Sequence, residues 1–284
     1  MTLREAAARL AAAGIEDAAS EARLLAAHYT GRSEASLLAA RDEPLGDCPA
    51  LEAALCRRAR REPLQYILGR WTFFGLPFFV SPGCLIPRPE TELLVEAALA
   101  ALPAGARVAD LCTGSGCVGI ALAKTRPDVT VTAVELSDAA RAIARKNADA
   151  LGVADRFAVR AGDVTGPVFA QTEIFDAMVA NPPYVASDEM KTLAPELAWE
   201  PAMALTDGGD GLRVIAGVLD CAARSLRAGG RLWMEIGAGQ GGAVRALCAA
   251  RPLTDVRILE DLAGHERVVC ARRAGNREDE KQKE

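Results

Sequence analysis

Apolar residues follow a helical period in the first 70 residues of the chain. Thr2-Leu3-Arg4-Glu5 has the form of a capping box, and the Ala-rich run after it includes Leu10 and stops at Gly14. Three further helical patterns follow, beginning near Ala22, Ser33 and Pro49. The pattern therefore predicts a small helical bundle.

The composition changes abruptly to aromatic and β-branched residues at Trp71. Trp71-Thr72-Phe73-Phe74 and Phe78-Phe79-Val80 flank the segment Gly75-Leu76-Pro77. Two short strands joined by a tight turn at that segment account for the pattern.

Strand-type runs alternate with helical patterns from Gly105 onward. Strands are predicted over residues 107–111, 129–134, 157–161, 175–180 and 231–236, and helices over 117–125, 138–151, 212–226 and 242–250. This alternation is typical of an α/β fold with a mostly parallel, doubly wound sheet. Two final strand runs surround Asp261-Leu262-Ala263-Gly264 and predict a closing antiparallel hairpin, with His265 as a hairpin residue.

These patterns divide the chain into four parts. We predict a helical domain over residues 1–70, a β-hairpin linker over 71–85 and an α/β domain over 86–274. Residues 275–284 carry almost only charged and amide side chains and are predicted to be a disordered tail.

Charge and cysteine content limit the function classes. The net charge of −5 leaves no basic surface covering the molecule, which weakens a nucleic-acid substrate. The arginine run Arg57, Arg58, Arg60 and Arg61 is predicted to be a solvated helix face. The eight cysteines contain no C-x-x-C pair and there are two histidines, so neither a metal site nor a disulfide framework is expected. The absence of a long apolar run favours a cytoplasmic protein. The protein is also expected to be a monomer.

A glycine loop, Asp110-Leu111-Cys112-Thr113-Gly114-Ser115-Gly116, lies where the first strand of the α/β domain runs into a helix. Glycines there let the backbone approach a ligand closely. Gly114, Gly116 and Gly119 also fit the dinucleotide spacing, so a dehydrogenase is an alternative, as is a purely structural turn. The acid that precedes the glycines favours a positively charged amino-acid group over a pyrophosphate.

Two acids follow the next two predicted strands. Glu135 ends the second strand about 20 residues after the loop, where an acid can accept both ribose hydroxyls of an adenosine. Asp163, followed by Val164, comes after the third strand and is placed to meet an adenine amino group, or else is a plain turn residue.

The tetrapeptide Asn181-Pro182-Pro183-Tyr184 directly follows the fourth strand. The prolines stiffen the loop and lack amide donors, so carbonyl acceptors remain. A planar NH2 group suits this loop, because its two hydrogens can be accepted by the Asn181 side chain and the Pro182 carbonyl while Tyr184 packs on its flat face. Such a clamp would catalyse by positioning.

The tetrapeptide and the glycine loop together resemble the seven-strand S-adenosylmethionine methyltransferases that act on exocyclic or amide nitrogens. Two segments narrow the resemblance. Leu85-Ile86-Pro87-Arg88-Pro89-Glu90-Thr91-Glu92 is similar to the segment before the catalytic domain of the release factor glutamine methyltransferase (HemK-like) family, and the residues from Asp261 to Val268 resemble its closing hairpin. The order of helical domain, hairpin and catalytic domain is also that of the family.

The resemblance implies a function and a set of site residues. The substrate would be the glutamine of the Gly-Gly-Gln loop in class-1 peptide chain release factors, with the helical domain helping to dock the factor. The substrate amide would be bound by Asn181, Pro182, Pro183 and Tyr184, of which Asn181, Pro182 and Tyr184 would be catalytic. S-adenosylmethionine would be bound by Cys112, Thr113, Gly114, Ser115, Gly116, Glu135, Asp163, Val164 and Asn181.

Some residues depart from the pattern or are ambiguous. Cys112 stands where the family often has glycine, and its side chain predicts an ordinary backbone conformation there. Arg88, Glu90 and Glu92 are candidates for covering the cofactor. Alternatively, Glu90 and Glu92 lie in the first turn of a helix, where acidic side chains are favoured by the helix dipole. Glu200 and Pro201 are candidates for the lining of the substrate pocket.

Three alternative functions remain at this point. A DNA adenine methyltransferase shares the tetrapeptide, but flipping a base out of a duplex calls for phosphate-binding cations around the cleft. Glutamine methylation of a ribosomal protein is a nearer alternative. The sequence of residues 87–92 favours release factors over a ribosomal protein as the substrate. The third is a cofactor-binding interaction module without catalysis.

Overall fold

A computed structural model describes residues 1–275 of the chain. The chain divides into two compact units: residues 1–71 with the short segment 194–199, and residues 72–193 with the chain from Glu200 onward. The predicted tail lies outside the described residues, apart from Gly275.

The first unit is built of helices. They are α1 (Leu3–Ala12), α2 (Ala18–Thr30), α3 (Glu34–Ala39), α4 (Pro49–Ala59) and α5 (Leu64–Leu68). The predicted capping box is confirmed, since Thr2 and Glu5 exchange side-chain and backbone hydrogen bonds. Fully buried leucines such as Leu10, Leu25 and Leu55 form the core. The sequence pattern did not reveal α5, because five residues are too few to establish a helical period.

The arginine run in this unit is not a solvated face, and that prediction is wrong for Arg58. Its side chain is 5% exposed and binds the carboxylates of Glu21 and Glu196, the latter at 2.9 Å. Arg61 binds the second oxygen of Glu196 at 2.9 Å. Glu196 belongs to the short segment that joins this unit, far from Arg58 in sequence, so no local pattern could reveal the pair. Arg60 alone keeps the predicted exposed position in the run.

The predicted hairpin forms from β1 (Arg70–Phe73) and β2 (Leu76–Phe79), but its turn is shifted. The turn residues are Phe74 and Gly75, with φ of 51° and 70°, rather than Gly75-Leu76-Pro77. Two successive residues with positive φ match the twist of a hairpin. Pro77 is accommodated inside β2 because a two-stranded ribbon leaves an edge where no N–H is needed.

The second unit contains a seven-stranded sheet. Its strands are β3 (Arg107–Leu111), β4 (Thr130–Glu135), β5 (Phe157–Ala161), β6 (Phe175–Ala180), β7 (Leu226–Glu235), β8 (Leu253–Glu260) and β9 (Glu266–Arg273). They lie in the order β5-β4-β3-β6-β7-β9-β8. Strands β3 to β7 pair in parallel, whereas β9 pairs antiparallel with both β7 and β8. The predicted α/β fold and the closing hairpin, with His265 in its loop, are confirmed.

Helices cover both faces of this sheet. They are α6 (Glu92–Leu99), α7 (Cys117–Thr125), α8 (Asp138–Ala150), α9 (Arg213–Ser225) and α10 (Gly241–Ala249). Alternate residues of β3 belong to two different hydrophobic clusters, with Val108 in one and Ala109 in the other. The central strands β3 and β6 are therefore buried on both sides, which explains their mainly apolar residues. Within the described residues, no helix is long and apolar enough to cross a membrane.

The strand order creates a crevice between β3 and β6. From β3 the chain continues outward to β4 and β5, and it returns to the other side of β3 as β6. The connections after β3 and β6 therefore leave the sheet in opposite directions. The carboxyl ends of these two strands border the point where ligands bind in open α/β sheets. The glycine loop follows β3, and Asn181 follows β6.

Candidate active site

A cleft opens at the carboxyl ends of these strands. Many residues predicted from the sequence line it: Cys112, Thr113, Gly114, Ser115, Glu135, Asp163, Val164, Asn181 and Pro183. The cleft wall also includes residues that the sequence did not single out as ligand-binding, among them Gly83, Cys84, Leu136, Met203, Thr206 and Arg213. Arg88 and Pro201, which were ambiguous in the sequence, line it as well.

The Asp110 side chain holds the glycine loop against the start of α7 through two hydrogen bonds. Its side chain is 2% exposed, and its Oδ2 accepts hydrogen bonds from the Thr113 hydroxyl at 2.5 Å and the Gly119 amide at 3.0 Å. Burial raises the pKa of Asp110 to about 7, although both hydrogen bonds favour the ionised form. The carboxyl group thus holds the loop and borders the cleft.

Cys112 adopts a left-handed backbone conformation with φ of 57°, so the prediction of an ordinary conformation is wrong. The chain turns between the end of β3 and the glycines, and Cys112 takes its positive φ in this turn. A residue with a Cβ is strained there, which gives glycine at this position a physical reason. Burial also raises the pKa of the Cys112 thiol well above its ordinary value, so the thiol stays neutral.

The other two glycines of the dinucleotide-like spacing allow close packing. Gly116 precedes α7 with φ of 84°, and a Cβ there would lie 2.7 Å from the Ile120 side chain. A Cβ on Gly119 would lie 2.7 Å from Asp110 Oδ2. Gly119 therefore allows the approach of α7 to β3, whereas Gly116 lies against the Ile120 side chain of α7 itself, a structural role beside the cofactor role predicted for it.

Two acids border the far side of the cleft. Glu135 accepts the Gly114 amide at 2.9 Å and the Ser137 amide at 2.8 Å, one on each carboxylate oxygen. Asp163 Oδ1 accepts the amide and the hydroxyl of Thr165 at 2.9 and 2.7 Å, and the hydroxyl contact contributes most to lowering the pKa of Asp163. Both side chains are therefore held in place by backbone amide donors, with the Thr165 hydroxyl as a further donor to Asp163.

The Asn181 side chain is held by a partner from the segment before α6. Asn181 Nδ2 donates to Thr91 Oγ1 at 3.1 Å, and the Thr91 hydroxyl donates to Glu235 Oε2 at 2.6 Å. Thr91 and Glu235 are each 1% exposed. Glu235 ends β7, the next strand of the sheet beyond β6.

Tyr184 is held by the same carboxylate. Its hydroxyl donates to Glu235 Oε1 at 3.1 Å, and burial raises the pKa of the phenol. The Tyr184 carbonyl accepts Gln240 Nε2 at 2.9 Å, and Gln240 Oε1 in turn accepts the Gly237 amide at 2.9 Å. The tetrapeptide is therefore fixed at both ends.

Two of the acids whose role was left open by the sequence, Glu92 and Glu200, have structural partners. Glu200 accepts the Ile86 amide at 2.9 Å and forms an ion pair with Arg88, and its residue is buried. Glu92 accepts the Phe74 amide at 2.7 Å, whereas Glu90 lies exposed. Glu200 and Arg88 thus brace the wall beside Pro201 rather than present free charges.

Thr91 and Glu235 are the residues that sequence reasoning missed as part of the site. Thr91 stands in the motif of residues 85–92 without a role of its own, and Glu235 lies inside a predicted strand. An acid at the end of a buried strand is a weak signal, yet the neighbouring parallel strands β4, β3, β6 and β7 each end within one residue of a polar side chain, namely Glu135, Asp110, Asn181 and Glu235. Because those ends meet at one edge, the position of Glu235 is the signal that would have revealed it.

The arrangement suits a cationic adenosine cofactor and an NH2 substrate. Asp110 and Glu135 place two carboxyl groups beside a glycine loop, and Asn181 presents an amide next to the Pro182-Pro183 backbone. Carboxylates attract a sulfonium and an ammonium group, and amide and carbonyl oxygens accept from an NH2 group.

Two family models match the chain. Residues 2–69 match the model described as the PrmC N-terminal domain, and residues 89–223 match the methyltransferase small domain.

Curated relatives match nearly the whole chain. A release factor glutamine methyltransferase of Cereibacter sphaeroides is 47% identical over 273 residues, which cover 95% of this chain and 96% of that protein. The protein of the same name from Bordetella pertussis is 44% identical over 254 residues, with 87% and 92% of the two chains covered.

Solved structures support the fold. The crystal structure of a methyltransferase from Pyrococcus furiosus matches with a TM-score of 0.54 and 15% identity, covering 72% of this chain and 92% of that one. At this identity the likeness concerns the methyltransferase fold.

Proposed function

The chain belongs to the release factor glutamine methyltransferase family, and from this membership we propose that it methylates the side-chain amide nitrogen of the Gly-Gly-Gln glutamine in class-1 peptide chain release factors. The alternatives, methylation of a ribosomal protein or of DNA adenine, are not favoured by the relatives. The observation that supports the proposal within this chain is the fixed Asn181 amide at the carboxyl end of β6.

S-adenosylmethionine, when bound, supplies an electrophilic methyl group on a sulfonium. The residues that would hold it are the glycine loop Cys112–Gly116 with Glu135, Asp163, Val164 and Asn181. The chemistry of the cleft fits: Glu135 has acceptor positions left for ribose hydroxyls after binding two amides, because a carboxylate offers about four lone-pair sites. Asp110 adds negative potential near the positive part of the cofactor.

The Asn181–Tyr184 loop would hold the glutamine amide. Asn181 Oδ1 and the Pro182 carbonyl accept its two N–H groups, and Pro183 and Tyr184 bound the planar group. An amide nitrogen is a weak nucleophile because its lone pair is shared with the carbonyl. Accepting both hydrogens increases electron density on the nitrogen and aims it at the methyl group, so catalysis is by positioning and electrostatic stabilisation.

We further propose that the helical unit docks the release factor and that the second unit is the catalytic domain. A monomer in the cytoplasm, acting on a protein rather than on nucleic acid, fits the net charge of −5. The family match over residues 2–69 supports a dedicated role for the helical unit.

The decisive experiment is transfer of labelled methyl groups from S-adenosylmethionine to purified release factor. A Gln→Ala variant of the Gly-Gly-Gln loop, duplex DNA and ribosomal protein are assayed in parallel. We expect label on the intact loop alone. Label on DNA or on ribosomal protein in its place would overturn the substrate assignment while leaving the cofactor assignment standing.

A further inference from the structure

A chain of three hydrogen bonds links the two ends of the Asn181–Tyr184 loop through Glu235. Asn181 Nδ2, the Thr91 hydroxyl and Glu235 Oε2 follow one another at 3.1 and 2.6 Å. The Tyr184 hydroxyl reaches Glu235 Oε1 at 3.1 Å. All of these residues lie in the second unit.

The donor-to-acceptor direction of this series of hydrogen bonds is set by Glu235, where the series ends. An ionised carboxylate only accepts hydrogen bonds, so the single proton of the Thr91 hydroxyl points to Glu235. Thr91 Oγ1 is then left with lone pairs alone and can only accept from Asn181. The amide of Asn181 must therefore turn its NH2 group to Thr91, and its Oδ1 faces the opposite side.

We propose that Glu235 and Thr91 are positioning residues that fix the side-chain amide of Asn181 with its oxygen toward the substrate. The inference rests on the proposed function, because that function requires an acceptor at Asn181. With the amide reversed, Asn181 would offer its own NH2 to the substrate NH2, and two donors would meet.

The ionisation of Glu235 matters for the same reason. The groups around it are the Thr91 and Tyr184 hydroxyls, which donate to it, with Arg267 and Glu90 acting at longer range. Burial raises the pKa of Glu235, whereas both hydroxyls and Arg267 lower it. A neutral Glu235 could donate to Thr91, and the hydroxyl could then point to Asn181 and permit the reversed amide.

Matched substitutions at Thr91 test the inference kinetically. Thr91→Val keeps the shape of the side chain but removes the hydroxyl, and Thr91→Ser keeps the hydroxyl. We expect kcat on release factor to fall about 10- to 100-fold in Thr91→Val, with the KM for release factor and the Kd for S-adenosylmethionine within about threefold of wild type. Thr91→Ser should recover most of the lost kcat. Equal losses in both variants, or a loss confined to KM, would overturn the inference.

Glu235→Gln adds a test of polarity. Its amide has one acceptor oxygen for two hydroxyl donors, so the chain direction is no longer imposed. We expect kcat of the wild type to decline as the pH falls through the pKa of Glu235, and the residual kcat of Glu235→Gln to lack that decline at saturating S-adenosylmethionine. If kcat of Glu235→Gln declined with falling pH in the same way as kcat of the wild type, this result would count against the role of the carboxylate.

A measurement without substrate separates this inference from the proposed function. The side-chain NH2 signals of Asn181, assigned by their loss in Asn181→Ala, can be followed by NMR in the full chain. One amide proton should exchange slowly in wild type and Thr91→Ser and rapidly in Thr91→Val. If release factor is not methylated, the proposed function fails while this result still decides the position of Asn181. Fast exchange in the wild type would refute the hydrogen bond itself.

Discussion

The carboxylate of Glu135 accepts the backbone N–H of Gly114 at 2.9 Å, which ties the end of β4 to the glycine loop after β3. Its other oxygen accepts the Ser137 amide and so fixes the start of α8. One side chain therefore links two segments that border the cleft. Its remaining lone pairs are held at a defined position.

Glu135→Gln should weaken binding of S-adenosylmethionine. Its single carbonyl oxygen cannot replace two charged acceptors, and a hydrogen bond to a charged group is worth about 1.5–3 kcal/mol. We expect the Kd, measured by isothermal titration calorimetry, to rise about 10- to 100-fold. Asp155→Asn, at a side chain that is 75% exposed, is the matched control. An unchanged Kd in Glu135→Gln would refute the cofactor role of Glu135.

Asp110→Asn should stabilise the fold at neutral and higher pH. Burial raises the pKa of Asp110 to about 7 from an ordinary value of 3.8, so the folded protein holds a proton that the unfolded chain releases between these pH values. The contribution of Asp110 to the free energy of unfolding therefore falls as the pH rises from 4 to 7. Removing the charge should add about 2–4 kcal/mol above pH 7, since one pKa unit corresponds to about 1.4 kcal/mol.

The check is a comparison of denaturant unfolding in the wild type and Asp110→Asn at several pH values. Their difference should be small near pH 4 and grow toward pH 8, which separates Asp110 from other buried acids. Binding should change in the opposite direction: the wild type should bind S-adenosylmethionine more tightly as the pH rises through about 7, whereas Asp110→Asn should lack this rise. A stability difference that does not depend on pH would contradict the assignment.

Substitutions at Cys112 should rank by their tolerance of positive φ. Cys112→Val places a β-branched side chain at φ of 57° and should lower the free energy of unfolding by about 1–3 kcal/mol. Cys112→Gly relieves the strain but loses packing and gains unfolded-state freedom, so its net change should stay within about 1 kcal/mol. Thermal unfolding with and without cofactor measures both. Equal stability of the two variants would show that the backbone is not constrained there.

The strands and the residues that follow them could be predicted from the sequence because both depend on local patterns. Residues 108–111 and 177–180 are buried on both faces, so both strands read as mainly apolar runs, with the polar Asp110 near the end of one and Asn181 directly after the other. The fixed topology then brings those polar residues to one edge.

Contacts between distant segments could not be predicted in the same way. Thr91 and Glu235 are 144 residues apart, and each has an ordinary role in its own element. The positive φ of Cys112 depends on how sharply the chain leaves β3, which a residue type does not specify. Burial of Arg58 depends on Glu196, a residue contributed by a segment inserted after β6.

Arg58→Met should destabilise the helical unit strongly. Arg58 is 5% exposed, and its loss leaves the partly buried Glu21 without this cation and Glu196 with Arg61 alone. Breaking such a pair costs about 3 kcal/mol or more. Arg60→Met, at an exposed position in the same run, should change stability by no more than about 0.5 kcal/mol.

Hydrogen exchange resolves this effect by unit. Amides of α2 and α4 should lose protection in Arg58→Met, while those of β3 and β6 should change less. Charge reversal at Arg60 should leave the fold intact, so activity of Arg60→Glu on whole release factor tests directly whether this face meets the partner. Normal protection of α4 in Arg58→Met would mean that the ion pairs contribute little.

Asn181→Ala should separate binding from chemistry. The side chain is an acceptor for the substrate in our proposal, and its Nδ2 already donates to Thr91, so truncation removes the substrate acceptor while the Thr91 hydroxyl still donates to Glu235. Removing one such preorganised group costs about 100- to 1,000-fold in kcat. S-adenosylmethionine should still bind with a Kd within about tenfold of wild type, because the loop and Glu135 are unchanged. Single-turnover transfer to release factor, with cofactor binding measured on the same sample, makes the distinction. Near-normal turnover with intact cofactor binding would mean that the amide is held by other groups, and the Pro182 carbonyl and Tyr184 would then have to account for the positioning.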